Sequence, residues 1–101
     1  MTYKEMNQIC KDNNVCGTQF YIAEEMEYQF YDADQADPSD ERFEQLCERA
    51  YYLYLKSENL SIASICRAIG ELEANFETFC TQDPLEMDKW AILDLACEKE
   101  Y

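Results

Sequence analysis

The stretch SIASICRAIGELEANFETFC, residues 61–80, decides the fold class. Ile62, Ile65, Cys66, Ile69, Leu72, Phe76, Phe79 and Cys80 recur at spacings of three and four, which puts them on one face of a helix with 3.6 residues per turn. Ser61 stands just before the first apolar residue, where a hydroxyl oxygen accepts a hydrogen bond from an orphan N–H of the first turn. The stripe passes through Gly70 without a change of phase, so the stretch reads as one continuous helix. Ala63, Gly70 and Ala74 form a small-residue flank that suits close packing. A faint helix-turn-helix pattern over Ile62–Gly70 gives way to the same continuity. The segment after its glycine carries Glu71, Glu73 and Glu77 with no Lys or Arg, the wrong sign for a phosphate-lined groove.

Working outward, the rest of the chain punctuates in the same way. Thr2 and Glu5 form a capping box, which predicts a helix from Tyr3 through Met6, Ile9 and Cys10 to Asn13–Asn14. Thr18 is expected to cap a second helix over Gln19 to about Ala33, with Ile22, Ala23, Met26, Phe30 and Ala33 inward. Asp37–Pro38 predicts the start of a third, from Pro38 to about Ser57, because Asp caps and Pro is preset for the first turn. Phe43, Leu46, Cys47, Ala50, Leu53 and Tyr54 are its expected inner face. Its segment Tyr51–Leu55 is apolar all round, the mark of a helix buried on several sides or covered by a partner. Asp83–Pro84 repeats the start signal and predicts a last helix to about Lys99, with Trp90, Ala91 and Leu95 inward. The expectation is an all-α, compact single-domain bundle of about five helices spanning residues 1–101.

Composition excludes several chemistries. The 101 residues include 22 Asp+Glu, 8 Lys+Arg and no His, for a formal charge of −14. A 48% share of AVILMFWYC residues provides a core that a disordered acidic tail lacks. Without histidine there is no Ser-His-Asp or Cys-His catalytic set. Gly17 and Gly70 are the only glycines, so neither a P-loop nor a dinucleotide-binding fingerprint exists. The negative charge opposes direct binding to nucleic acid and to anionic membranes. No apolar run approaches the twenty residues that a bilayer requires. The opening Met1-Thr2-Tyr3-Lys4-Glu5 lacks a basic-then-apolar signal pattern, which sets the expectation of a soluble, cytoplasmic protein.

The six cysteines, Cys10, Cys16, Cys47, Cys66, Cys80 and Cys97, fall mostly on the apolar side of helical patterns. They read as small buried hydrophobes; a disulfide framework and a zinc site are the alternatives. Zinc is disfavoured because no CxxC pair seeds a site. Asp32-Ala33-Asp34-Gln35-Ala36-Asp37 begins like an EF-hand loop. It then has Asp37 in place of the glycine at position six and Phe43 in place of the bidentate Glu at twelve. No metal and no cofactor is expected. With 22 acids carboxylate pairs are inevitable, so their presence does not point to an enzyme.

The distribution of acid is more informative. Nine acidic residues and no basic one lie between Asp12 and Glu41. Glu24, Glu27, Tyr31 and Asp34 are spaced by three and four residues, so neighbours stand about 5–6 Å apart on a helix surface. Exposed helices normally interleave Lys or Arg with Glu; here like charges adjoin, and Tyr21 and Tyr28 sit among them. A second run, Glu71, Glu73, Glu77, Asp83, Glu86 and Asp88, has no basic residue either. In size, charge and tyrosine–carboxylate mixing the chain resembles the small acidic inhibitors of phages and mobile elements, anti-CRISPR and antirestriction proteins among them.

Together these features lead to the expectation of a non-catalytic inhibitor that occupies a basic, nucleic-acid-binding surface of another protein. The candidate partner-binding residues are Glu24, Glu25, Glu27, Tyr28, Tyr31, Asp32, Asp34 and Asp37. The rival expectation is a structural module, a homodimer or an adaptor, that associates through Tyr51–Leu55 and Trp90.

Overall fold

The computed structural model describes residues 2–15, 17–35 and 37–100; the sequence expectations for Cys16 and Ala36 fall outside them. Five α-helices and one π-helical turn account for the secondary structure among these residues: α1 (Tyr3–Asn13), α2 (Thr18–Glu27), a π turn (Tyr28–Asp32), α3 (Asp40–Lys56), α4 (Ile62–Phe79) and α5 (Lys89–Glu98). The all-α expectation holds, and the helix that set it is the hub. α4 packs against α2, the π turn, α3 and α5, and it buries Ile65, Cys66, Ala68 and Ile69. Facing these are Ile22, Ala23 and Met26 from α2, Phe43, Leu46, Cys47, Ala50 and Leu53 from α3, and Ile92 and Ala96 from α5.

Caps set several boundaries as expected. Thr2 Oγ1 accepts from Glu5 N–H at 3.2 Å. Ser61 Oγ accepts from Ser64 N–H at 3.1 Å. α1 closes on Asn14 with φ 53°, in the left-handed region that asparagine tolerates.

Both Asp-Pro signals misplace their helices, for different reasons. At the first, Ser39 is the cap: its Oγ accepts from Arg42 N–H at 3.2 Å, α3 starts at Asp40, and Pro38 is buried ahead of the helix. At the second, Asp83 accepts from Leu85 N–H at 2.9 Å and closes a short turn, with Glu86 and Met87 N–H both donating to its carbonyl. The Met87 carbonyl then accepts from Arg49 Nη2 at 2.6 Å, and the chain restarts as α5 only at Lys89. Smaller shifts occur elsewhere. Thr18 is the first helical residue of α2, and Gly17 precedes it without a side-chain cap. Phe79 and Cys80 extend past the core and are exposed, as Cys80 ends α4 in the left-handed region with φ 53°. Trp90 and Ala91, expected inward, face out, because the late start of α5 turns Ile92, Leu93 and Ala96 to the core instead.

The π turn is the largest departure from the predicted pattern. Ala33 N–H donates to the Tyr28 carbonyl at 2.9 Å, one residue beyond the α-helical bond. That extra residue brings Gln29 and Phe30 inward together and leaves Ala33 exposed. Gln29 lies against Gly70, where a methyl group would stand 3.2 Å from Gln29 Cβ, inside ordinary carbon–carbon contact. The missing side chain at Gly70 is what lets this turn rest on α4.

Candidate acidic binding face

α2 and the π turn bring five of the eight predicted residues to one place. Glu24, Glu25, Glu27, Tyr28 and Asp32 line an open hollow of about 460 Å³, together with Lys11 from α1 and Arg67 from α4. Four carboxylates face two cations there, so the hollow keeps an excess of negative charge. Glu24 and Asp32 are exposed and the Tyr28 ring is 57% exposed, while Glu25 and Glu27 are half-buried. Glu27 is held by Lys11 Nζ at 3.3 Å. Glu24, Tyr28 and Asp32 follow one another at intervals of four residues and form the outer row of the hollow.

The other three predicted residues do not join it. Tyr31 turns toward the core and packs on Phe43 with ring centroids 5.6 Å apart. Lys4 Nζ lies 4.4 Å from the Tyr31 ring centroid and 2.8 Å from Asp40 Oδ1. That carboxylate, with Tyr31, raises the pKa of the Lys4 ammonium. The π turn explains the divergence, because the extra residue rotates Tyr31 off the row of Glu24 and Glu27. Asp34 sits in a left-handed turn with φ 58°, and it and Asp37 are exposed outside the hollow.

Half of the second acidic run is paired within the fold: Glu71, Glu73 and Asp83 meet cations, while Glu77, Glu86 and Asp88 are exposed and have no ion pair among the described residues. Arg42 donates Nε to Glu73 Oε2 at 2.8 Å and Nη2 to Glu73 Oε1 at 2.6 Å. The same guanidinium reaches Asp83 through Nη1 at 3.1 Å and Nη2 at 2.6 Å. Glu73 is 2% exposed, so it contributes nothing to the surface. Glu71 pairs with Lys99 at 3.1 Å and lines a second hollow of about 530 Å³, whose wall includes Gln29, Asn75 and Arg67. Arg67 therefore stands between the two acidic runs and belongs to both hollows.

Spacing alone did not reveal Lys11, Arg67 or the Arg42 bridge. Each acts across sequence separations of 16 residues or more.

The thiols divide by position. The five described cysteines are free: Cys47 and Cys66 are buried, Cys10 is half-buried, and Cys80 and Cys97 are exposed. Burial pushes the thiol pKa values of Cys47 and Cys66 well up, which keeps both protonated and unreactive at neutral pH. Among the described residues no three Cys, Asp or Glu side chains are grouped so as to hold a metal ion, and no helix is long and apolar enough to cross a membrane. Comparisons of the chain with protein-family models, curated proteins and solved structures return no match.

Proposed function

We propose that this is a cytoplasmic, non-catalytic binding protein that covers a basic, nucleic-acid-binding surface of a partner protein. The supporting observation is the row Glu24–Tyr28–Asp32 on the rim of a hollow where four carboxylates meet only two cations. Glu24 and Asp32 stand two turns apart with Tyr28 between them, so the row presents carboxylate, ring and carboxylate in succession to Arg and Lys side chains. Tyr28 adds a flat ring on which a guanidinium stacks. The chain's net charge of −14 steers it toward a cationic groove and away from nucleic acid itself. Such an action needs no cofactor, and it is the mode of the small acidic phage and mobile-element inhibitors that the composition resembles.

The test is affinity capture from bacterial lysate on the immobilised protein, eluted with rising salt. The expected catch is a nucleic-acid-binding protein released at moderate salt, because exposed ion pairs weaken as the Debye length shrinks. A Glu24→Lys/Asp32→Lys variant, which leaves the Lys11–Glu27 pair intact, should lose that partner and keep its unfolding midpoint. Equal capture by the variant would refute the proposal.

A further inference from the structure

Gln29, Gln35, Arg67, Glu71, Asn75 and Lys99 surround the hollow of about 530 Å³ that opens between the π turn, α4 and the end of α5. Three of these side chains are carboxamides, and none of the three makes a side-chain hydrogen bond among the described residues. Gln29 is 8% exposed, held inward by the π turn against Gly70. Gln35 Oε1 is buried without a donor among the described residues. Buried amides are almost always hydrogen-bonded, so unpartnered ones gathered on the wall of one hollow point to a ligand that pairs with them. The charges of the hollow are uneven too. Lys99 Nζ pairs with Glu71 at 3.1 Å. The Arg67 guanidinium donates Nη1 to the Lys99 carbonyl at 3.4 Å and pairs with no carboxylate among the described residues. Two cations and one carboxylate therefore line the hollow, a positive excess on a chain whose net charge is −14.

We infer that this hollow binds a carboxylate that carries an amide, the chemistry of a peptide C-terminus or of a free N-acylated amino acid. The carboxylate lies on Arg67, whose guanidinium donates two parallel hydrogen bonds to such a group. Each carboxamide offers one acceptor and two donors, the complement of the N–H and C=O of a peptide unit. Gln29, Gln35 and Asn75 together serve the ligand's amide. Lys99 offsets Glu71, so the ligand's single charge meets a single uncompensated cation. No aromatic ring lines the hollow among the described residues, so a nucleobase has nothing to stack on. A polyphosphate is opposed by Glu71 within the hollow and by the acid of the whole chain. Arg67 borders both hollows, but this one uses none of the carboxylates of the acidic face, so the two sites fail or succeed independently.

The side-chain NH2 signals of the three carboxamides report directly on the hollow in nitrogen–proton correlation NMR. Titration of the labelled protein with N-acetyl-glycylglycine should move all three saturably, with a Kd of about 1 mM, ordinary for a ligand of about a dozen heavy atoms. The same dipeptide with its terminal carboxylate converted to an amide should bind at least about tenfold more weakly. Arg67→Met should weaken binding of the free acid by a similar factor, and Asn75→Leu should weaken both forms. Arg67 is exposed and Asn75 half-buried, so helical content by circular dichroism should stay unchanged in each variant. Tighter binding of N-acetyl-triglycine than of N-acetylglycine assigns the site to a chain end, and equal binding assigns it to a free acylated amino acid. Carboxamide signals that stay fixed up to about 20 mM dipeptide would overturn the proposal. So would equal binding of the acid and the amide, or equal binding by Arg67→Met.

Discussion

Replacing Arg42 by methionine removes the one cation that, among the described residues, holds the buried Glu73 carboxylate. In the fold this guanidinium makes four hydrogen bonds of 2.6–3.1 Å to two carboxylates, and its Cζ lies 5.6 Å from the Phe76 ring centroid. It joins α3 to α4 and to the turn before α5. Arg42→Met leaves Glu73 2% exposed and unpaired, and breaking a buried pair in this way costs about 3–5 kcal/mol. Against a total stability of about 5–15 kcal/mol, that loss lowers the thermal midpoint by more than about 10 °C. Urea unfolding at pH 7 measures it. Arg42→Met/Glu73→Leu should recover most of the loss, because apolar side chains in place of a buried ion pair are often neutral or better. Acid sharpens the test. The Arg42 hydrogen bonds hold the Asp83 carboxyl below its usual 3.8, so this group adds stability above that pH that is lost as pH falls through the lowered value. The parent protein should therefore lose stability below about pH 4 more steeply than Arg42→Met. A single variant that loses less than about 1 kcal/mol, or a double variant no more stable than the single, would refute the reasoning.

Three further outcomes follow from buried groups. Asn7 is 1% exposed and neither its amide nitrogen nor its oxygen has a partner among the described residues, so Asn7→Leu should raise stability by about 1–3 kcal/mol in urea unfolding. Cys47 and Cys66 should resist a thiol reagent at pH 8 while Cys80 and Cys97 react, as read by peptide mass mapping. Burial raises both buried thiols and pushes the Tyr3 phenol up to about 12. Folding keeps these protons on, so stability is present below the unfolded values and declines as pH rises above about 9.

Much of the fold was legible because its signals are local. The α4 stripe and the Ser61 and Thr2 caps need only residues within a few positions; both caps form where the pattern puts them, and the stripe holds except at its end, where Phe79 and Cys80 are exposed. The Asp-Pro pairs show the limit of local signals. Asp37 yields its expected capping role to Ser39, and Asp83 is drawn to Arg42, 41 residues away, and to its own turn. Trp90 follows from that second event, since a helix begun at Lys89 presents a different face from one begun at Pro84.

The candidate site divides the same way. Carboxylate spacing put Glu24, Glu27, Tyr31 and Asp34 on one face, and of these Glu24 and Glu27 line the hollow, since they share one regular helix. It failed at Tyr31 and Asp34, where the room that Gly70 leaves for Gln29 favours a π turn and sends Tyr31 to Phe43. Helical class, four of the helix starts to within two residues and the acid-rich character of α2 were thus properties of the chain itself, set by hydrogen bonds and side-chain periods that close within a turn. Packing alone decided which carboxylates remain at the surface, because Arg42, Lys11 and Lys99 reach their partners only once separate helices are brought together.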